Sequence, residues 1–268
     1  MIFEARLLER ALKSLEEVVI SGEFESTLDK VKLFPEIIRE DVKLALEGLY
    51  YKGDHERKGK FLVVSGMDKT GKETLCFNPS NLKNVTSLKD YIKGKGYEIL
   101  AISLPSYNTK LGSLVASYLG KESTLKIKGE LSEHYAWILW SLDRAQHNLK
   151  VAKWLSKDKG FVLAKRWVES NVVYQKVKGI EVKRILSFER NIVKQDFTII
   201  LDASSELVIK RSEKLDKYES LDFLKEIRRT YLNLPTYYPF GEFFLVDSSR
   251  SLEEVNKDLL EILEKQIN

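Results

Sequence analysis

A glycine-punctuated loop after a short apolar run constrains the fold of this chain more than any other feature. The run Phe61-Leu62-Val63-Val64 is typical of a buried strand, and the loop Gly66-Met67-Asp68-Lys69-Thr70-Gly71-Lys72-Glu73-Thr74 follows it directly. Glycines let backbone N–H groups surround a phosphate oxygen, a lysine neutralises phosphate charge, and a helix N-terminus adds positive potential. The order strand, loop and lysine therefore predicts a phosphate-binding turn in an α/β fold.

The loop departs from the usual pattern at its last position. The motif G-x-x-x-x-G-K normally continues with Ser or Thr, whose hydroxyl binds Mg²⁺, and here Glu73 stands there. The following segment, Cys76-Phe77-Asn78-Pro79-Ser80-Asn81, is a strong break signal, so we expect a very short or kinked helix. Cys76 itself is expected to be a small buried apolar residue.

From residue 60 onward, short apolar runs alternate with helical patterns, which is typical of a parallel sheet covered by helices on both faces. The predicted strands are Phe61–Ser65, Glu98–Leu104, Phe161–Ala164, Phe197–Asp202 and Phe243–Val246. Helices are predicted near 109–120, 131–156, 168–176, 204–214, 219–233 and 251–266.

Residues 1–57 are predicted to form an α-helical N-terminal extension without strands, and residues 58–268 the α/β domain. The polar, glycine-containing stretch 52–60 is interpreted as the linker. Apolar residues recur at helical spacing in two groups, namely Leu7, Leu8, Ala11, Leu12, Leu15 and Val18, and, after Pro35, Ile37, Ile38, Val42, Ala45, Leu46 and Leu49. Two such helices cannot bury both stripes alone, so we expect them to pack on the following domain, a second copy or an unidentified partner.

Composition excludes several classes of protein. Hydrophobic residues make up 43% and charged residues 31%, and no apolar run reaches the roughly 18–20 residues of a membrane span. No signal peptide is expected, and the single cysteine excludes an intrachain disulfide, so a cytoplasmic location is expected. A net charge of +4 suits a phosphorylated small molecule and does not by itself indicate nucleic acid, so neither nucleic acid nor membrane is expected as a partner.

Between residues 60 and 268, the order of the motifs resembles the thymidylate kinase family. Asp68 matches the internal aspartate of that family's loop. Further matching segments follow in the family's order: Leu104-Pro105 with Thr109 and Gly112, Asp143-Arg144-Ala145-Gln146-His147, Lys165-Arg166-Trp167 with Ser170, Tyr174 and Gln175, Thr198–Asp202, and Asp216-Lys217-Tyr218-Glu219 with Phe223, Leu224 and Arg228. The resemblance implies a P-loop nucleoside monophosphate kinase fold with a five-stranded parallel sheet. It also implies an enzyme that uses ATP, with Mg²⁺ as cofactor, to phosphorylate dTMP or a related pyrimidine monophosphate.

The resemblance also implies roles for individual residues. The implied catalytic residues are Lys72, Asp68, Arg166 and Arg144, and the implied ATP-binding residues are Gly66, Lys69, Thr70, Gly71, Lys72, Glu73, Thr74 and Arg211. The acceptor nucleotide is implied to contact Pro105, Ser106, Arg144, Ser170, Tyr174 and Gln175. Two of these residues have an alternative interpretation. Arg144 could form a salt bridge with Asp143 or a neighbouring acid, and Tyr174 could be an ordinary core residue. His147 is expected to form hydrogen bonds on a helix face. Thymidylate kinases commonly pair through helices, so a homodimer is one assembly to expect, although the extension would alter that surface.

The chain departs from the family at several positions that normally handle charge. Ser65 stands where many members have Glu, Ser106 where many have an Arg that reaches the transferred phosphate, Lys69 where the loop has Gly, and Lys165 where the third strand ends in an acid. The basic lid over ATP is reduced to Arg211, Lys214 and Lys217. One hypothesis is that Glu73 and Lys165 form an ion pair at the Mg²⁺ position, and the alternative is that Glu73 itself binds Mg²⁺.

Three functions are therefore compatible with the sequence. The chain is an active kinase of pyrimidine monophosphates, a degenerate kinase that binds a nucleotide or phosphate as a sensor or regulatory subunit, or a scaffold whose helices bind a protein partner.

Overall fold

The computed structural model describes residues 1–22, 24–53, 56–78, 84–212 and 220–267. The strands are β1 (Ile2–Glu4), β2 (Lys60–Ser65), β3 (Glu98–Ser103), β4 (Lys126–Lys128), β5 (Gly160–Lys165), β6 (Phe197–Asp202) and β7 (Glu242–Asp247). The helices are α1 (Ala5–Ser21), α2 (Phe24–Val31), α3 (Arg39–Leu49), α4 (Lys72–Cys76), α5 (Leu88–Gly94), α6 (Lys110–Tyr118), α7 (Glu133–Ala145), α8 (Asn148–Leu155), α9 (Val168–Val177), α10 (Val182–Phe188), α11 (Ser205–Arg211), α12 (Leu221–Leu232) and α13 (Leu252–Ile267).

Contacts between residues divide the chain into two compact units, each of which combines segments that are far apart in the sequence. The first unit comprises Met1–Asp54, Leu104–Lys150 and Tyr174–Val193, and the second comprises His55–Ser103, Val151–Val173 and Lys194–Asn268. The helices of the N-terminal extension thus share a unit with later segments of the chain. The domain boundary at residue 57 stays a prediction.

In the second unit, five parallel strands form a sheet in the order β3-β5-β2-β6-β7. In register, Val64 of the central strand β2 lies opposite Lys165 of β5 and Ile199 of β6. All five predicted strands are present, with bounds within one residue of the prediction. The predicted α/β fold with a five-stranded parallel sheet is confirmed.

The core of the second unit lies between this sheet and three helices. Alternate residues of β2, Leu62 and Val64, pack with Leu88 of α5 and Leu259 of α13. Cys76, at the end of α4, is fully buried in the same cluster, as expected for a small apolar residue. The helix that begins at Lys72 is only five residues long, so the prediction of a very short helix is confirmed. Residues 79–81 of the predicted break lie outside the described residues.

In the first unit, helices α1 and α3 of the extension pack on α7. At the α3 contact, an added Cβ on Gly48 would meet the Ala145 backbone oxygen at 2.1 Å, so only glycine permits this approach. Asn148 donates to the Gly48 oxygen at 2.8 Å and ties the two segments together. Among the three options for the apolar stripes, the structure shows packing on a later part of the chain. Leu7 of the first predicted stripe and Ile37 of the second are instead exposed.

The prediction that residues 1–57 contain no strand is wrong. Strand β1 pairs in parallel with β4, with Phe3 opposite Ile127. A three-residue strand carries too short a pattern to be recognised, and its partner lies more than a hundred residues away. The single helix predicted over 131–156 is interrupted between α7 and α8, where the His147 amide donates to the Arg144 oxygen in a tighter turn. Helices α5 and α10 were not predicted either.

Among the helices that the structure describes, none combines the length and the apolar character needed to cross a membrane.

Candidate functional site

The loop between β2 and α4 adopts a conformation that its glycines permit. Gly66 has φ +127°, and an added Cβ would meet the Leu201 oxygen at 2.4 Å. Gly71 has φ +89° and precedes the first turn of α4. Lys69 has φ +59°, in the left-handed region, where a side chain costs roughly 1–2 kcal/mol. This conformation gives a physical reason for the glycine that the resemblance expects at position 69.

Lys72, the first residue of α4, turns its ammonium back into the loop. Its Nζ donates to the Met67 oxygen and to Thr70 Oγ1, the latter at 3.2 Å, and the residue is only 5% exposed. Burial, helped by the charge of Arg166 and opposed by that of Asp68, lowers the pKa of Lys72 to about 7. Because these neutral oxygen atoms hold the ammonium, an anionic phosphate would be a stronger partner for it.

Glu73 and Lys165 form an ion pair beside the loop. Lys165 is the last residue of β5, and Glu73 is the second residue of α4. The other carboxylate oxygen of Glu73 accepts a hydrogen bond from Asn78 Nδ2 at 3.3 Å. The two side chains are therefore in contact, as the hypothesis requires. That the pair takes the place of Mg²⁺ stays a prediction.

The carboxylates near the loop do not fit Mg²⁺ as they stand. Carboxylate oxygen is a ligand that Mg²⁺ prefers, but the ammonium of Lys165 already neutralises Glu73. Asp68 is paired in the same way, because its Oδ1 accepts from Arg166 Nη2 at 2.6 Å. In each case a bound metal ion would have to share the negative charge of the carboxylate with a cation that already neutralises it. The assignment of Glu73 as a metal ligand stays a prediction.

Arg166 follows β5 directly, at the end of the sheet where parallel strands place their ligands. Its φ of +66° is unusual for arginine, and its amide donates to the Val64 oxygen at 3.0 Å. Besides the contact with Asp68, its Nη1 donates to the Tyr231 hydroxyl at 3.2 Å. The structure thus brings Arg166, Asp68 and Lys72 together around the loop.

The remaining residues assigned to ATP lie at the margin of this group. Arg211, the last residue of α11, donates from Nη1 to the Ser248 oxygen at 3.1 Å and the Lys69 oxygen at 3.4 Å. Thr74 lies half-buried in α4. Lys214 and Lys217 of the reduced lid, and the segment of residues 216–219, lie outside the described residues.

Several residues assigned to the acceptor nucleotide lie in the first unit, where Asp143 organises a polar cluster. Its carboxylate accepts from the Ser106 amide at 2.8 Å and from Gln146 Nε2 at 2.9 Å. Burial raises the pKa of Asp143 to about 6, against the hydrogen bond from Ser106. Ser106 Oγ lies 2.8 Å from His147 Nε2, and burial lowers the pKa of His147 to about 4. His147 is therefore a neutral hydrogen-bonding residue at neutral pH.

Arg144 lies in a buried ion pair in the same unit. Its Nε and Nη2 donate to the two carboxylate oxygens of Glu189 at 2.8 and 2.7 Å, and the two residues are 2% and 0% exposed. Ser141 Oγ also donates to Glu189. The salt bridge that the sequence left open is therefore present, but its acid is Glu189 rather than Asp143. The role of Arg144 toward a nucleotide stays a prediction.

The other acceptor-side residues occupy different places. Pro105, two residues after the end of β3, is half-buried, and on α9 Tyr174 is half-buried whereas Gln175 is only 2% exposed. Ser170 lies in the second unit, where its Oγ contacts Glu169, Ser65 and Tyr231. The contacts of Glu169, Glu189 and Tyr231 were not recognised from the sequence, since each of these residues has a partner far away along the chain.

Comparisons with known proteins agree with this arrangement. A family model described as thymidylate kinase matches residues 64–259. A probable thymidylate kinase of Thermococcus gammatolerans is 26% identical over 216 residues, which cover 78% of this chain and 98% of that protein. A thymidylate kinase of Thermoanaerobacter sp. (strain X514) is 30% identical over 219 residues, covering 78% of this chain and all of that protein. The solved structure of thymidylate kinase from Candida albicans shares the fold with a TM-score of 0.58 at 20% identity, covering 79% of this chain and 93% of that one. The chain therefore belongs to the thymidylate kinase family of nucleoside monophosphate kinases.

Proposed function

We propose that this protein transfers the γ-phosphoryl group of ATP to dTMP or a related pyrimidine monophosphate. The observation that carries the proposal is the loop before α4, in which the ammonium of Lys72 is held on the Met67 oxygen. Membership of the family supports the reaction class. The single cysteine supports a cytoplasmic location.

Phosphoryl transfer depends mainly on positioning and on neutralising charge, and the residues around the loop suit both tasks. Lys72 binds the terminal phosphates, Arg166 neutralises charge on the transferred group, and Asp68 holds Arg166 by its ion pair. Arg211 steadies the loop through its contact with Lys69. Mg²⁺, when bound, would shield the charge of the phosphates.

On the acceptor side, the proposal rests on resemblance. The amide of Gln175 suits the edge of a pyrimidine base, and Tyr174 lies beside it on α9. Ser106 and Pro105 follow β3, where the family holds the acceptor phosphate. Pairing into a homodimer stays a proposal.

One observation favours a second candidate, a degenerate kinase that binds nucleotide without turnover. The Glu73–Lys165 ion pair puts a carboxylate next to the phosphate loop, where the usual motif has a hydroxyl. As long as the pair persists, the carboxylate of Glu73 is occupied by an ammonium, and the loop lacks the hydroxyl that usually binds Mg²⁺.

ADP release from Mg-ATP, with and without dTMP, separates the two candidates, and Lys72→Ala is the control. Turnover that depends on dTMP and disappears in Lys72→Ala supports the active kinase. Absence of turnover with every pyrimidine monophosphate overturns it. Calorimetric binding of ATP by such an inactive protein would then support the degenerate kinase.

Binding of ATP is expected to weaken as the pH rises above about 7. In the free protein Lys72 is half protonated near that pH, and a bound phosphate raises its pKa because it stabilises the ammonium. Affinity should therefore fall by up to about tenfold per pH unit until the pKa of the complex is reached. Calorimetry at pH 6.5, 7.5 and 8.5 measures the slope. In Lys72→Arg, whose charge does not titrate, this fall should be absent, and equal slopes in both proteins would contradict the prediction.

A further inference from the structure

A buried cluster of hydroxyl groups adjoins Arg166 in the second unit. It consists of Ser65, Ser170 and Tyr231, which are 0%, 6% and 2% exposed. Ser65 Oγ and Ser170 Oγ are 2.6 Å apart, and the Tyr231 hydroxyl lies 2.9 Å from Ser170 Oγ and 3.3 Å from Ser65 Oγ. The roles proposed above for the loop residues do not use this cluster.

The carboxylate of Glu169 anchors the hydroxyl cluster and sets the direction of its hydrogen bonds. Oε1 accepts from Ser65 Oγ at 2.8 Å and from Ser170 Oγ at 3.0 Å. A third donor, the Trp167 amide, lies at 3.0 Å from the same oxygen, and Glu169 is fully buried. Its Oε2 has no hydrogen-bond partner among the described residues. A carboxylate only accepts, and the 2.6 Å contact between the two serines needs a hydrogen from one of them, so the two serine hydrogens are spent on Glu169 and within the serine pair.

This direction leaves the Tyr231 oxygen as an acceptor. Because neither serine keeps a hydrogen for Tyr231, the phenol donates to Ser170 Oγ, and its lone pairs face other donors. Arg166 Nη1 is such a donor, at 3.2 Å from the Tyr231 hydroxyl. Burial raises the pKa of Tyr231, so the phenol keeps its proton at neutral pH. Hydrogen bonds therefore run in one direction from Arg166 through Tyr231 and Ser170 to Glu169.

The guanidinium of Arg166 contacts both Tyr231 and Asp68. Nη1 donates to the buried Tyr231 hydroxyl, and Nη2 donates to Oδ1 of Asp68, whose side chain is 47% exposed. Of the two contacts, only Tyr231 is buried and anchored on a further network. We infer that Tyr231 is a positioning residue that holds Arg166 in the orientation needed to neutralise the transferred phosphoryl group. The inference rests on the proposed function, because the role of Arg166 is part of it.

Tyr231→Phe tests the inference, because it removes one oxygen atom and keeps the ring. Loss of one hydrogen bond to a catalytic cation should lower kcat by about tenfold, while KM for ATP stays within about twofold. Ser170→Ala should lower kcat in the same direction. The matched control is Tyr238→Phe, another fully buried tyrosine, whose hydroxyl contacts Gln195 Oε1 at 3.2 Å. It should keep kcat within about twofold of the wild type.

A double-substitution cycle separates positioning from a general loss of structure. Lysine at position 166 has no second nitrogen for Tyr231, so Tyr231→Phe should lower kcat no further in an Arg166→Lys background. An equal tenfold loss in both backgrounds would overturn the inference, as would a Tyr231→Phe protein with wild-type kcat. If the wild type turns over dTMP, either of these results overturns the inference only, and the proposed function is still supported. A wild type without turnover overturns the proposed function and the inference with it.

Discussion

The double substitution Glu73→Thr/Lys165→Asp is expected to raise Mg²⁺-dependent turnover of ATP and dTMP by about 100-fold. In the wild type, an ammonium and a carboxylate neutralise each other beside the phosphate loop. The substitution installs a hydroxyl after Lys72 and an acid at the end of β5, which are the groups that the usual loop and the family resemblance expect there. Removing one preorganised hydrogen-bond donor to developing charge costs roughly 10²–10³ in turnover in other enzymes, and the expected gain is set at the lower end of that range.

Neither single substitution should give this gain. Glu73→Thr leaves the ammonium of Lys165 without its carboxylate, and Lys165→Asp places two carboxylates next to each other.

The matched control is Lys58→Asp/Asp158→Thr, which changes an exposed ion pair of the same unit with the same chemistry and should leave turnover unchanged. Kinetics with and without Mg²⁺ decide the matter. A double variant that gains nothing, or gains equally without Mg²⁺, contradicts the prediction. A Glu73→Thr protein that loses Mg²⁺-dependent turnover would instead identify Glu73 as a metal ligand.

The sheet and the loop were predictable because their signals are local. The apolar runs of β2, β5 and β6 are each bounded by turn or helix signals, and the glycines of the loop mark positions of positive φ. Lys72 and its place at the start of α4 follow from that motif alone. The sequence also placed Glu73 near Lys165, but only because the resemblance supplied the long-range proximity.

The buried partners were not predictable, because each pair joins distant segments through side chains with no shared pattern. Glu189 contacts Arg144, which is 45 residues away in the sequence, and Glu169 contacts Ser65, which is 104 residues away. Ser65 shows the consequence most clearly. A carboxylate is common in the family at its position and is absent here, yet Glu169 brings one to within 2.8 Å of Ser65 Oγ from helix α9. The residue at position 65 alone does not predict this carboxylate, because it comes from another element of the fold.

Arg144→Ala and Glu189→Ala are each expected to lower the free energy of unfolding by about 3–5 kcal/mol. Each removes one partner of a doubly hydrogen-bonded ion pair that is almost fully buried, and so leaves the other charge in the interior without compensation. Urea denaturation at neutral pH measures the change. The control is Glu40→Ala, which breaks an exposed ion pair with Lys43 in the same unit and should lie within about 1 kcal/mol of the wild type. The prediction is contradicted if Arg144→Ala or Glu189→Ala lowers the free energy of unfolding by no more than Glu40→Ala does.

Removing the whole buried group then separates the two roles of Arg144. The variant Arg144→Met/Glu189→Leu/Ser141→Ala takes out the ion pair together with the hydroxyl that donates to it, so most of the lost stability should return. If dTMP-dependent turnover returns with the stability, Arg144 serves the fold and the nucleotide role is wrong. If the variant is stable but its KM for dTMP is raised or its kcat is lost, the guanidinium acts on the acceptor as well. Since Glu189 accepts from both Nε and Nη2, the second result would require the substrate to compete with Glu189 for the guanidinium.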